Sequence, residues 1–203
     1  MKRRNFIQNS TLTAASLMAV SPLFSNNNSK PNHVYNLNYA PHFGMFKNHA
    51  GSDIFNQLEF IKDQGFKAFE DNGMKNRDVK TQEIIGNFLS KNNMKMGVFV
   101  AHKIYWNEPN LASGDLNKRN EFLNDISTSV DVAKRLNAKW MTVVPGHLDL
   151  RKDMNYQTQN VIETLKQASE ILEKHDLTMV LEPLNFRDHP GLFLTESPQA
   201  FQI

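Results

Sequence analysis

The sequence predicts an α/β chain, a (β/α)8 TIM barrel of which about five of the eight βα units are present. Three observations carry that expectation. Short apolar β-type runs alternate with longer segments whose apolar residues recur three and four apart, from His33 onward, which implies βαβ units around a parallel sheet. No Gly-x-Gly-x-x-Gly follows the first run, as an open dinucleotide-binding sheet would often show. Polar candidates recur after every run, at His42, Glu70 to Asn72, His102, His147 and Glu182 to His189. A barrel gathers all its strand C-termini at one mouth, where the chemistry of that architecture sits.

The elements follow in order. Val34 to Tyr39 is the first strand-like run, ended by Pro41 and Gly44, and Asp53 to Gln64 is a helix with Ile54, Phe55, Leu58, Phe60 and Ile61 on one face and Gly65 at its end. Phe66 to Phe69 is the second strand, Val79 to Lys91 the next helix, and Lys95 to Ala101 the third strand, with a loop from His102 to Gly114 behind it. A long helix covers Asn117 to Leu136. Trp140 to Val144 is the fourth strand, broken by Pro145-Gly146, and Tyr156 to His175 the helix after it. Leu177 to Leu181 is the fifth strand, stopping at Glu182-Pro183, and Ser197 to Ile203 opens a further helix. A complete barrel takes ~250 residues, so the 203 residues here read as an N-terminal portion.

Residues 1–30 read as a signal peptide and linker, and residues 31–203 as the partial barrel domain. Lys2, Arg3 and Arg4 precede a moderately apolar run from Leu12 to Phe24 and a polar exit at Ser25 to Ser29, the layout of an export signal. The run is too short and too rich in Ser, Thr and Ala for a stable membrane span, which takes ~20 apolar residues. The paired arginines before Asn5-Phe6-Ile7 resemble the twin-arginine signal, so the expected location is the periplasm.

The formal charge of +2 is outweighed by the three charges of that opening segment, which leaves the rest of the chain slightly acidic and without the clustered Lys and Arg of a nucleic-acid footprint. No nucleic-acid partner is expected. The chain has no cysteine, which excludes disulfides, thiolate metal sites and cysteine nucleophiles. Any metal has to be held by carboxylate, imidazole or amide oxygen. The sequence admits a homo-oligomer without specifying one.

The strongest local signal is Val180-Leu181-Glu182-Pro183-Leu184-Asn185. A carboxylate closing a buried strand, followed by a proline that ends the ladder, points into the mouth. Burying it alone is costly unless a cation or donor neutralises it, and a hard divalent ion such as Mg²⁺ or Mn²⁺ suits oxygen and imidazole ligands. A salt-bridged glutamate at a strand end explains the pattern equally well.

Leu181-Glu182-Pro183-Leu184-Asn185, with Asp188-His189-Pro190-Gly191-Leu192-Phe193-Leu194 after it, resembles the metal-glutamate segment of the xylose-isomerase-like TIM barrels, the sugar-phosphate isomerase/epimerase superfamily that includes hydroxypyruvate isomerase and ketose 3-epimerases. Phe69-Glu70-Asp71-Asn72-Gly73-Met74 and Val144-Pro145-Gly146-His147 resemble the same group. The resemblance implies that Glu182 is a metal ligand and one of two glutamates that shuttle the substrate proton through a cis-enediolate. It implies a small sugar or hydroxy-ketone as substrate. It also places the remaining ligands of the divalent metal outside this chain, so that activity is expected of a full-length form and not of these 203 residues.

Asp188 and His189 fall where that group contacts substrate oxygens. His102 and Trp106, behind the third strand, and His147, behind Pro145-Gly146, suit a sugar, the ring face packing on carbon and an imidazole bonding a hydroxyl. Each has an equally plain alternative, a loop turn or a histidine satisfied by backbone. Two competing functions stay open: a non-catalytic sugar-binding barrel, and a metal-dependent endonuclease on the same fold, which the absence of a basic rim disfavours.

Overall fold

The computed structural model describes His33 and residues 35–203, and the signal peptide read over residues 1–30 lies outside the described residues. The helices and strands are α1 Lys47–Ala50, α2 Ile54–Asp63, β1 Ala68–Phe69, α3 Val79–Lys91, β2 Lys95–Met96, α4 Leu116–Leu136, β3 Trp140–Val143, α5 Met154–Leu172, β4 Thr178–Leu181 and α6 Ser197–Gln202.

Among the described residues the four long helices begin alike. Asp53, Asp78, Asp115 and Asp153 stand in extended backbone ahead of α2, α3, α4 and α5, and each carboxylate accepts from one or two free amides of the first turn. A cap of this kind stabilises a helix by about 1 kcal/mol.

They also end alike. Gly65, Asn93, Asn137 and Asp176 all adopt positive φ, between 50° and 89°. The next residue then donates its amide to a carbonyl five positions back: Phe66 to Ile61, Met94 to Leu89, Ala138 to Ala133 and Leu177 to Leu172. This left-handed turn satisfies carbonyls that the helix end leaves free and swings the chain into the following strand.

The strands pair in parallel. Ala68 and Phe69 stand opposite Lys95 and Met96, and Trp140 to Val143 opposite Thr178 to Leu181. Two single bridges, His42 with Glu70 and Val100 with Thr142, join these pairs, so five successive strand positions form one parallel arc in chain order. The first is shorter than its sequence suggests. Residues 35–39 form no strand; Tyr35 instead stacks on Phe66 with centroids 4.6 Å apart. Pairing begins at Pro41, whose carbonyl accepts from the Glu70 amide.

The two faces of the arc differ. Phe69, Met96, Met141 and Val143 pack against the helices, meeting Ile85, Leu89, Ile126 and Val161 in one apolar core. Along β4, Met179 and Leu181 lean on that core, while Thr178, Val180 and the next residue, Glu182, are exposed on the opposite face, as the alternation of a strand requires. That opposite face is the interior side of a barrel. Among the described residues no helix is long and apolar enough to cross a membrane.

Helices α3 and α4 cross closely at Gly86, where an added Cβ would stand 2.0 Å from the carbonyl oxygen of Arg135. The same contact carries a hydrogen bond from Arg135 Nε to Gln82 Oε1 at 2.7 Å. Overpacking such a contact costs typically ~1–3 kcal/mol, so Gly86→Ala is expected to lower the unfolding free energy by that amount, read as a lower urea midpoint. An unchanged midpoint would contradict the close crossing.

Candidate functional site at the strand ends

The Glu182 amide donates to the Val143 carbonyl at 3.2 Å, which holds the residue at the tip of β4, and Pro183 ends the ladder immediately after. Its carboxylate lies on the inner face and, among the described residues, enters no ion pair and no side-chain hydrogen bond. A hard oxygen donor left free in this position suits a divalent cation. Among the described residues no three of His, Asp and Glu come together as a metal set.

Three loops are tied together around it. His147 forms a parallel bridge with Pro109 and an antiparallel bridge with Leu192, which joins the loops behind the third, fourth and fifth strand positions. The Leu148 amide donates to the Gly191 carbonyl and the Phe193 amide to the Gly146 carbonyl, both at 2.9 Å. Across the same rim Trp106, 42% exposed, stacks on His189 with centroids 5.2 Å apart and planes at 28°. The structure therefore brings Trp106 and His189 together and ties the loop of His147 to theirs.

His147 donates Nδ1–H to the Leu148 carbonyl at 2.8 Å, which leaves Nε2 as an acceptor. That nitrogen lies where a Cβ of residue 191 would be, 2.1 Å away, and Gly191 has φ +81°. Both the turn and the ring require glycine there. Asp188 is exposed and shares its turn with Asn185, whose amide donates to it at 3.0 Å. In that arrangement Asp188 shapes the loop that presents His189.

His102 departs from its expected role. The ring is 4% exposed, turned toward Phe122 of α4, and Nε2 accepts the Val144 amide at 3.1 Å while Nδ1 meets the Lys103 carbonyl at 2.8 Å. Both nitrogens serve the backbone, so neither is left for a substrate hydroxyl. Burial lowers its pKa from 6.5 to about 4, so the imidazole is neutral at ordinary pH.

Sequence reasoning overlooked two pairings. His42 Nε2 lies 2.6 Å from Glu70 Oε1, across the bridge between the first two strand positions. Lys75 Nζ bonds Asp125 Oδ1 at 2.8 Å and the Ala101 carbonyl at 2.8 Å, beside a cavity of about 600 Å³ that Asn72, His102 and Trp106 also line. The partners are 28 and 50 residues apart in the chain, and no local motif announces such a contact.

A family model described as xylose isomerase-like TIM barrel matches residues 58–199. The chain belongs to that family. Hydroxypyruvate isomerase of Escherichia coli (strain K12) is 26% identical over 86 residues, which are 42% of this chain and 33% of that protein. Among solved structures, AP endonuclease, family 2 from Brucella melitensis aligns with TM-score 0.68 at 21% identity, over 80% of this chain and 61% of its own. D-Psicose 3-epimerase from Clostridium cellulolyticum H10, solved with D-tagatose, aligns with TM-score 0.61 at 14% identity, over 80% and 57%. The IOLI protein with a binding zinc atom aligns with TM-score 0.61 at 17% identity, over 74% and 52%. The chain thus spans between a third and three fifths of these relatives' lengths, and the structural likenesses show the fold.

His102 makes stability depend on pH in a definite direction. Its folded pKa, about 4, lies below its ordinary 6.5, so the contribution is complete above pH 6.5 and lost as pH falls toward 4. At ~1.4 kcal/mol per unit the loss is about 3 kcal/mol. Urea unfolding of the wild type and of His102→Gln across this range is expected to show a shallower acid slope in the variant; parallel slopes would contradict it.

Proposed function

We propose that this chain belongs to a divalent-metal isomerase or epimerase acting on a small hydroxy-ketone or sugar, in the manner of hydroxypyruvate isomerase. The observation that carries the reading is the free carboxylate of Glu182, held at a parallel strand tip on the inner face by the Val143 carbonyl. The family match and its isomerase and epimerase relatives support it.

Isomerisation of a hydroxy-ketone needs a base placed against the C–H beside the carbonyl. Glu182 takes that proton, leaving a cis-enediolate, and a carboxyl returns it at the neighbouring carbon or on the opposite face. A divalent metal, when bound, holds the substrate oxygens and makes that C–H more acidic. We assign Glu182 as one ligand and place the others outside this chain. Mg²⁺, Mn²⁺ and zinc, the last present in the IOLI structure, all accept such a carboxylate. Trp106 offers an aromatic face, and His147 and His189 offer imidazoles to hydroxyls at the same rim. Asp188 completes the proposed substrate-binding group through the turn that carries His189.

In the full-length protein, exchange of the substrate C–H for deuterium, followed by NMR, is expected to stop on chelation. Glu182→Gln is expected to lower it by ~10²-fold or more. Exchange indifferent to both would remove Glu182 and the metal from the mechanism, and no exchange in the wild type would leave a sugar-binding barrel as the better reading. Export on the Arg3-Arg4 signal is the second part of the proposal. Periplasmic fractionation is expected to recover the protein, and to lose it in Arg3→Lys/Arg4→Lys; recovery unaffected by the pair would reject the twin-arginine route.

A further inference from the structure

The sequence contains a single Asn-Gly pair, Asn72-Gly73, and it falls in the turn after β1. Such a pair is chemically labile where the chain leaves it free, because the amide nitrogen of the second residue can attack the asparagine side chain and close a cyclic imide. A Cβ on the second residue hinders that attack, and glycine has none. A fold suppresses the reaction when it buries the pair or ties up the side-chain amide.

This turn does neither. Asn72 and Gly73 are both exposed, and among the described residues the Asn72 side chain makes no hydrogen bond. Both residues line the cavity of about 600 Å³ that Lys75, Asp125 and Trp106 also border, so the reacting atoms lie on open space.

Two contacts favour ring closure. The Gly73 amide donates to Asp71 Oδ1 at 3.1 Å, so the proton that this nitrogen has to lose already points at a carboxylate within reach of a general base. Asp71 is 7% exposed and its Oδ2 accepts from Arg77 Nε, an ion pair that fixes the carboxylate in place. On the other side, the Asn72 carbonyl accepts the Val100 amide at 3.4 Å, which holds the backbone while the side chain stays free.

We propose that Asn72 is a site of spontaneous modification set up by this turn. The Gly73 nitrogen attacks Asn72 Cγ as Asp71 takes its proton. A new C–N bond forms, the bond from Cγ to the side-chain nitrogen breaks, and that nitrogen leaves as ammonia with the proton Asp71 passes on. Water then opens the imide at either carbonyl. One opening gives an aspartyl product, the other an isoaspartyl product whose main chain is longer by a methylene, and both leave a carboxylate. The new anion lines the cavity in which Lys75 Nζ bonds Asp125 Oδ1 and the Ala101 carbonyl, both at 2.8 Å, so it competes for that lysine. The charge of the cavity therefore changes as the protein ages, whatever reaction Glu182 serves.

The test follows the full-length protein during incubation at mildly alkaline pH, with its peptides resolved by mass spectrometry. Aspartyl and isoaspartyl peptides are expected to accumulate at position 72 ahead of every other asparagine. Gly73→Ala is the control that keeps the fold: Gly73 has φ −83°, and an added Cβ meets Asp71 Oδ1 at 3.5 Å, an ordinary contact. Conversion is expected to be lost in that variant. It is also expected to run at least as fast in the native protein as in the same chain unfolded in urea, because only the fold holds Asp71 against the Gly73 amide. Absence of conversion at position 72, equal conversion in Gly73→Ala, or a native rate below the unfolded one would each overturn the proposal.

Discussion

The turn that closes each long helix is the constraint on which the rest of the structure depends. Gly65, Asn93, Asn137 and Asp176 each take the left-handed conformation, and the amide after each is tied back to the helix. The strands that follow have only two to four residues, too few for ladder bonds alone to hold their phase. A slip of one residue would exchange the two faces of a strand. The tied turn removes that freedom, and it is the reason Leu181 meets the core while Glu182 faces the interior.

The same phase gives the histidines different fates despite similar sequence surroundings. His102, His147 and His42 all follow strand-like runs. His102 is turned outward and fastens the third strand position to the fourth through the Val144 amide. His147 sits over Gly191 and braces two loops. His42 faces inward and holds Glu70. Residue type and position after a strand could not separate them, because the outcome depends on which backbone groups a neighbouring strand brings within reach.

The helices were the most legible part of the chain. Val79 to Lys91 has the same limits in sequence and structure, and the N-terminal aspartates and left-handed residues are local signals that need no tertiary context. The strands were legible as positions but not as lengths. Lys95 to Ala101 reads as one strand, yet its regular pairing with the first neighbour covers only Lys95–Met96, and pairing with the other neighbour begins at Phe99. The place of Glu182 at a strand tip was legible because proline follows it. Glu70 was read only as one of several polar residues after a strand, since its partner His42 is brought to it only when the sheet forms.

The stack of Trp106 on His189 joins the loop behind the third strand position to the loop behind the fifth. With His147 bridged to both sides, these segments share one set of contacts and cannot open separately. Ordering one therefore lowers the entropy cost of ordering the other. The rim over the strand ends is therefore one braced unit, so the loss of any one of these contacts loosens all three loops together.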